Sequence, residues 1–317
     1  MYIKLDQEII NILCCPICKG SLRAIGQGFA CKDCATEYLS CNIKQGKLIE
    51  KVLDFRIYRP DYCVSKESAK CFDMQEGYQK YYSERGKRDN LDEYLNEIDS
   101  VKEIYTDEFH INGRVLDIGG GQGTTRHFLE AERVSLYVSV DPFINIFQDI
   151  ERQPNLLKAY PCLAKPCNFL ACQAENLPFV ANIFDWVHMR SVLDHFQDPY
   201  LALKEAYRVL KLGGVLLIGS TVYNGKSSLR TKNSDIALQN LASKIFHKIK
   251  EEGLKWIVGA LIKKIFLRKK WADPHIFRWR YEDLTDLLRA TKFMIVKEHW
   301  QKPPFTMCVY VGAKKSI

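Results

Sequence analysis

Between Arg114 and Gly123 the chain reads Arg-Val-Leu-Asp-Ile-Gly-Gly-Gly-Gln-Gly, a short apolar strand running directly into a glycine-rich turn. The stretch Thr124 to Glu132 is expected to follow it as a helix. Strand, tight turn and helix in that order open the nucleotide-binding half of a doubly wound α/β fold. A glycine-rich loop by itself leaves the ligand open, and two details narrow it. A dinucleotide fingerprint needs a third small residue at position 124 for helix–strand packing, where this chain has β-branched Thr124. Asp117, just ahead of the first glycine, would set a carboxylate against a pyrophosphate. It suits instead a ligand with a positive amino group and sulfonium, which describes S-adenosylmethionine.

The downstream pattern extends the same fold. Leu136 to Val140 predicts a second strand ending at Asp141, an acid placed to accept hydrogen bonds from both ribose hydroxyls. A turn over Cys172 to Phe179 precedes a strand over Ile183 to His188. Asp198-Pro199 opens a helix over Tyr200 to Leu210, which Leu212-Gly213-Gly214 ends before a strand over Val215 to Gly219. The β–α alternation is regular from Arg114 to Thr221. Further on, Glu282 to Ala290 predicts a helix, and Phe293 to Glu298 and Thr306 to Ala313 predict two strands. Ahead of the glycine loop, Leu91, Tyr94, Leu95, Ile98 and Val101 recur at the spacing of an amphipathic helix.

With these motifs in this order, roughly residues 75–225 and the C-terminal strands resemble a class I methyltransferase of the methyltransferase-11 type. The resemblance implies a Rossmann-like sheet of seven strands with the last one antiparallel, and S-adenosylmethionine as cofactor. It places Asp117, Gly119, Gly121 and Gly123 around the methionine part and Asp141 on the ribose. Gln173 and Ala174 fall at the adenine-side turn, where the family often has Asp at the position of Gln173. Met189 and Arg190 border the methyl group. Leu193-Asp194-His195 stands where the family frequently has Leu-His-His. Methyl transfer is an in-line displacement that alignment alone can accelerate greatly, so no covalent nucleophile is required. For a hydroxyl acceptor His195 is the candidate base; its bland alternative is a histidine packing the loop after the fourth strand. His275, Arg278, Trp279 and Tyr281 are candidates to line the acceptor pocket.

The N-terminal segment carries a second constraint. Cys15-Pro16-Ile17-Cys18 is followed by Cys31-Lys32-Asp33-Cys34, two knuckles able to aim four thiolates at one ion. Four thiolates close a tetrahedral shell, so structural zinc is expected there, with Cys14 and Cys41 as bystanders. The run from Ile12 to Leu22, then Cys31 to Tyr38 and Asp54-Phe55-Arg56, resembles the Trm112-like zinc ribbon, a family that accompanies methyltransferases as activating subunits or fusions. The resemblance covers residues 1–56. It leaves 57–112 as linker and N-terminal helices and 113–317 as the methyltransferase domain.

With neither a signal-peptide pattern nor a long apolar run, the chain is expected in the reducing cytoplasm, where its twelve cysteines are not expected to form a disulfide framework. The net charge is +8, and nine Lys or Arg residues against two Glu between Lys244 and Lys270 account for most of it. Within an insertion at about 225–275, Leu254, Ile257, Val258, Leu261, Ile262 and Ile265 line one helical face. We read this either as a lid or as an amphipathic helix making peripheral contact with the anionic inner face of a membrane. The expected function is methyl transfer to a small-molecule, sugar or lipid-linked acceptor. The alternative is an rRNA or tRNA methyltransferase gripping RNA through the ribbon, although residues 1–56 carry no dense basic patch with interleaved aromatics.

Overall fold

The structure, a computed structural model, describes residues 2–45, 48–57, 84–147, 150–223, 277–302 and 307–316. The N-terminal part forms β1 (Ile3–Lys4), α1 (Gln7–Asn11), β2 (Leu22–Ile25), β3 (Gly28–Cys31), β4 (Glu37–Gln45) and β5 (Leu48–Asp54). The chain continues with α2 (Leu91–Glu103), β6 (Gly113–Ile118), β7 (Val134–Val140), α3 (Pro154–Ala159), β8 (Cys167–Ala171) and β9 (Phe184–Arg190). It ends with α4 (Pro199–Val209), β10 (Leu210–Thr221), α5 (Tyr281–Ala290), β11 (Phe293–Trp300) and β12 (Cys308–Lys315). The basic insertion, with its amphipathic stripe, and His275 lie outside the described residues.

The sheet runs β11-β12-β10-β9-β6-β7-β8 and then onward through β5, β4, β3 and β2. The first seven are the strands expected of a doubly wound methyltransferase sheet. Pairings from β10 through β9, β6 and β7 to β8 are parallel, and β12 lies antiparallel between β10 and β11. Strands buried on both faces need no polar alternation, which explains why all of Cys167 to Ala171 is buried and why Leu116, Val187 and Leu216 are fully so.

Two expectations need correcting. The helix expected over Thr124 to Glu132 is only a 3-10 turn, Thr124–Phe128, and Leu129 is already extended. Consecutive β-branched threonines start it, and the Arg126 side chain turns back to hydrogen-bond the Gly123 carbonyl (3.1 Å). The fifth strand starts at Leu210 and not at Val215, with a register shift between them where Gly213 takes φ 75°.

α2 is capped by Asn90, whose side chain accepts from the Asp92 and Glu93 amides, and it buries Tyr94, Ile98 and Val101. It widens into a π-helical turn, Ile104–Glu108, which carries Tyr105 into the core.

The N-terminal segment is joined to the sheet by its own strands. β1 pairs in parallel with β8 at Cys167 and Asn168, and β5 pairs in parallel with β8 at Leu170 and Ala171. Ile9, Leu13, Cys15, Tyr38 and Phe55 share one apolar cluster with Leu116, Leu170, Phe179 and Val209. Beside the first knuckle, Lys19 Nζ lies 2.6 Å from the buried Glu205 carboxylate on α4. Glu205 also accepts from the Leu177 amide (2.9 Å) and from Arg208 Nε (2.7 Å). Replacing Glu205 with Ala strips three donors of one acceptor, two of them cationic and partly solvated. Denaturant unfolding should show a loss of about 2–3 kcal/mol, and a change within ~0.5 kcal/mol would mean that this junction contributes nothing.

Candidate functional site

The parallel strands bring four turns to one edge of the sheet. After β6 the loop begins at Gly119, whose amide donates to the Val140 carbonyl (2.8 Å) and whose φ is 68°. A Cβ there would sit 2.4 Å from Val192 Cγ1, so neither the conformation nor the space admits another residue. Gly121 also takes positive φ (53°), and its carbonyl accepts from Ser139 Oγ (2.8 Å). Gly123 completes the loop by donating its amide to the Gly120 carbonyl (2.9 Å).

Asp117 lies beneath this loop, buried, with both oxygens engaged. Tyr137 Oη donates to Oδ2 (2.5 Å) and His188 Nδ1 lies 2.8 Å from Oδ1. Asp141 follows β7. Its Oδ1 accepts from the Phe143 amide (2.8 Å), and its carboxylate also faces the Gly121 amide. Burial, assisted by the nearby Asp117 charge, pushes its pKa up to about 7. Gln173 follows β8, and its Oε1 accepts from the Ile57 amide at the exit of β5 (3.0 Å). Arg56, paired with Asp54, donates Nη1 to the Pro142 carbonyl next to Asp141 (2.9 Å). Ala174 is buried at the start of a 3-10 turn.

Met189 is fully buried near the end of β9. Arg190 donates to Glu97 on α2 (2.9 Å), and Glu97 pairs in turn with Arg85 (2.8 Å). His195 sits in the 3-10 turn Leu193–His195, with Nε2 3.7 Å from Asp194 Oδ1. The Asp194 carbonyl accepts from the Phe277 amide (3.2 Å), which brings Phe277 and the Trp279 stacked on it to the same edge. Asp117, the glycines, Asp141, Gln173, Met189, Arg190 and His195 are thus all carried on turns or strand ends at that edge.

Three residues at the site were not singled out in the sequence: His188, Tyr137 and Tyr105. A histidine in the otherwise apolar strand Phe184–Met189 was the available signal, since a buried imidazole needs hydrogen-bonding partners.

In the N-terminal segment the four sulfurs of Cys15, Cys18, Cys31 and Cys34 lie within 4.8 Å of one another. Cys15 to Cys34 is 3.6 Å and Cys18 to Cys31 is 3.4 Å. A tetrahedral shell of Zn–S bonds of about 2.3 Å requires sulfurs roughly 3.8 Å apart, so the cluster fits that ion closely. Each knuckle is followed by a residue of positive φ, Lys19 (62°) and Ala35 (57°), which turns the chain away from the thiols.

Residues 116–218 match a family model described as a methyltransferase domain. The chain is similar to the chloroplastic 2-methyl-6-phytyl-1,4-hydroquinone methyltransferase of Spinacia oleracea, at 30% identity over 39% of this chain and 35% of that protein. It is similar also to the ubiquinone/menaquinone biosynthesis C-methyltransferase of Sinorhizobium fredii, at 34% identity over 34% of this chain and 41% of that one. Among solved structures, Burkholderia thailandensis 1,6-didemethyltoxoflavin-N1-methyltransferase aligns at 15% identity over 94% of this chain and all of that chain, with a TM-score of 0.46. The chain spans 27–44% of the length of the curated relatives it matches.

The Asp141 carboxyl generates a pH prediction. Its folded pKa of about 7 lies above the ordinary carboxyl value of 3.8, so the folded state holds a proton that the unfolded state has released across that window. Stability should therefore fall as the pH rises from about 4 to about 7. Thermal melts of Asp141→Asn should lack this slope. At neutral pH the variant should be more stable by about 1–3 kcal/mol, because it no longer buries a charge. An unchanged pH profile in the variant would contradict the placement of this carboxyl.

Proposed function

We propose that the chain is an S-adenosylmethionine-dependent methyltransferase acting on a small-molecule acceptor, with structural zinc held by Cys15, Cys18, Cys31 and Cys34 of a Trm112-like ribbon. The observation that carries this reading is the buried Asp141 carboxylate facing the Gly121 turn inside a domain that matches a methyltransferase model. When bound, the cofactor supplies an electrophilic methyl group on a sulfonium. The chain's own residues receive and align it. The backbone of Gly119 to Gly123 would lie against the methionine part, Asp141 would accept from the ribose hydroxyls, and Gln173 and Ala174 would border the adenine. Met189 and Arg190 would border the methyl group, and His195 would take the proton from a hydroxyl acceptor.

The relatives' names, hydroquinone and ubiquinone/menaquinone methyltransferases, support a small-molecule acceptor and make quinol-type compounds the first to screen. For the basic stretch from Lys244 to Lys270, our reading of a lid or an anionic-membrane contact rests on the sequence alone.

Calorimetry on the full chain should detect both S-adenosylmethionine and S-adenosylhomocysteine. Asp141→Ala should cost about 1–3 kcal/mol of affinity, the scale of charge-assisted hydrogen bonds. In the wild type, affinity should weaken as the pH drops below about 7, since the neutral carboxyl accepts more poorly. Tighter binding of NAD than of either compound would overturn the assignment.

Elemental analysis of the purified chain should give one zinc per chain. Cys31→Ser should lose the ion together with thermal stability, because so small a ribbon depends on its metal. Equal zinc content in the two proteins would count against the site.

A further inference from the structure

Beneath the glycine loop four polar side chains form a line that is buried throughout. Tyr137, Asp117, His188 and Tyr105 are exposed by 8%, 1%, 1% and 4%. Asp117 stands opposite His188 in the β6–β9 ladder, so strand register alone makes their side chains neighbours on one face. His188 Nδ1 is 2.8 Å from Asp117 Oδ1, and His188 Nε2 is 2.9 Å from Tyr105 Oη.

Donor chemistry orders the line. An ionised carboxylate only accepts, so the ring hydrogen belongs on Nδ1. With the ring hydrogen on Nδ1, Nε2 is placed to accept from the Tyr105 hydroxyl. Every hydrogen bond thus points toward Asp117: Tyr105 to His188, His188 to Asp117, and Tyr137 to Asp117 from the other side. Burial alone would raise the Asp117 pKa, but His188 and the hydrogen bonds it receives hold it below the usual carboxylate range.

The loop rests directly on this carboxylate. A Cβ at Gly120 would lie 2.5 Å from Asp117 Cγ and 2.7 Å from Ser139 Oγ. At the other end, Tyr105 is delivered by the π-helical turn and stacked on Phe128 at 4.8 Å, which leaves its hydroxyl little freedom. Arg190, at the tip of β9, hydrogen-bonds that same hydroxyl.

We propose that His188 and Tyr105 are positioning residues for the cofactor loop: Tyr105 sets the imidazole tautomer, and the imidazole keeps Asp117 seated under Gly120. The loop then keeps its receiving shape before the cofactor arrives, which lowers the ordering cost of binding. This inference rests on the reading that the loop binds S-adenosylmethionine. An apolar core would be cheaper than a buried polar chain, so a chain with every member satisfied points to a role beyond space filling.

The test compares S-adenosylhomocysteine binding by calorimetry in full-length wild type, Tyr105→Phe, His188→Gln, Asp117→Asn and the His188→Gln/Asp117→Asn double variant. Tyr105→Phe and His188→Gln should each bind about tenfold more weakly. The double variant should bind no more weakly than Asp117→Asn alone, because the imidazole acts through the carboxylate. Proton NMR should show a low-field imidazole N–H in wild type that shifts when S-adenosylhomocysteine is added and is absent from Asp117→Asn. A side chain that merely fills space would not answer to the ligand. If His188→Gln fails to fold, Tyr105→Phe, which removes a single hydroxyl, carries the affinity comparison. Wild-type affinity in Tyr105→Phe and His188→Gln, or additive losses in the double variant, overturns the inference alone. Absence of binding by wild type overturns the cofactor reading, and this inference with it.

Discussion

A parallel strand at the border of a sheet leaves a row of N–H and C=O groups without partners, and β8 occupies that border in the seven-stranded part of this molecule. All five of its residues are buried, so water cannot satisfy the row. Two separate pieces of the N-terminal chain do so, β1 beside the first half of β8 and β5 beside the second. The cysteine hairpins lie between those two pieces, and their place against the sheet follows from the two short ladders. The same pairing delivers Arg56 to the carbonyl after Asp141 and the Ile57 amide to Gln173. The turns that face the candidate cofactor are therefore braced from the segment that carries the four-cysteine cluster.

The interior is otherwise conventional in its chemistry, which makes its polar members informative. Glu205 and Asp117 are carboxylates that burial would neutralise, and both are held ionised by cations or hydrogen bonds gathered around them. Asp141 is the contrasting case, because its partners are backbone amides and no cation is among the causes that set its pKa. Within one edge of one sheet the protein thus keeps one carboxylate charged and permanent, and another poised to change state near neutral pH.

Much of this architecture was legible in the chain. The β–α alternation, the C-terminal strand pair and the tip position of Asp141 all follow from apolar runs punctuated by glycine and acid. The paired cysteine knuckles were equally plain, because ligand spacing is a local property. What escaped was non-local. Nothing in Leu48 to Asp54 announces that it will pair with β8, since any apolar strand can add to an open edge. His188 looked like one polar residue in a core strand until register set it opposite Asp117. The overestimated helix after Gly123 is a failure of a different kind, where the strand–turn–helix pattern outweighed two β-branched threonines.

The pairing of β1 with β8 also bears on how the molecule must be made. The Asp6 amide is held by Asn168, 162 residues further along the chain. At a synthesis rate of about 5–20 residues per second, the first strand waits roughly ten to thirty seconds for its partner to leave the ribosome. Contacts of such separation also close slowly. The cysteine knuckles have no such delay, because all four thiols lie within the first thirty-four residues. The four thiols are therefore all made while the apolar face that will meet the sheet, Ile9, Leu13 and Phe55 among others, is still uncovered.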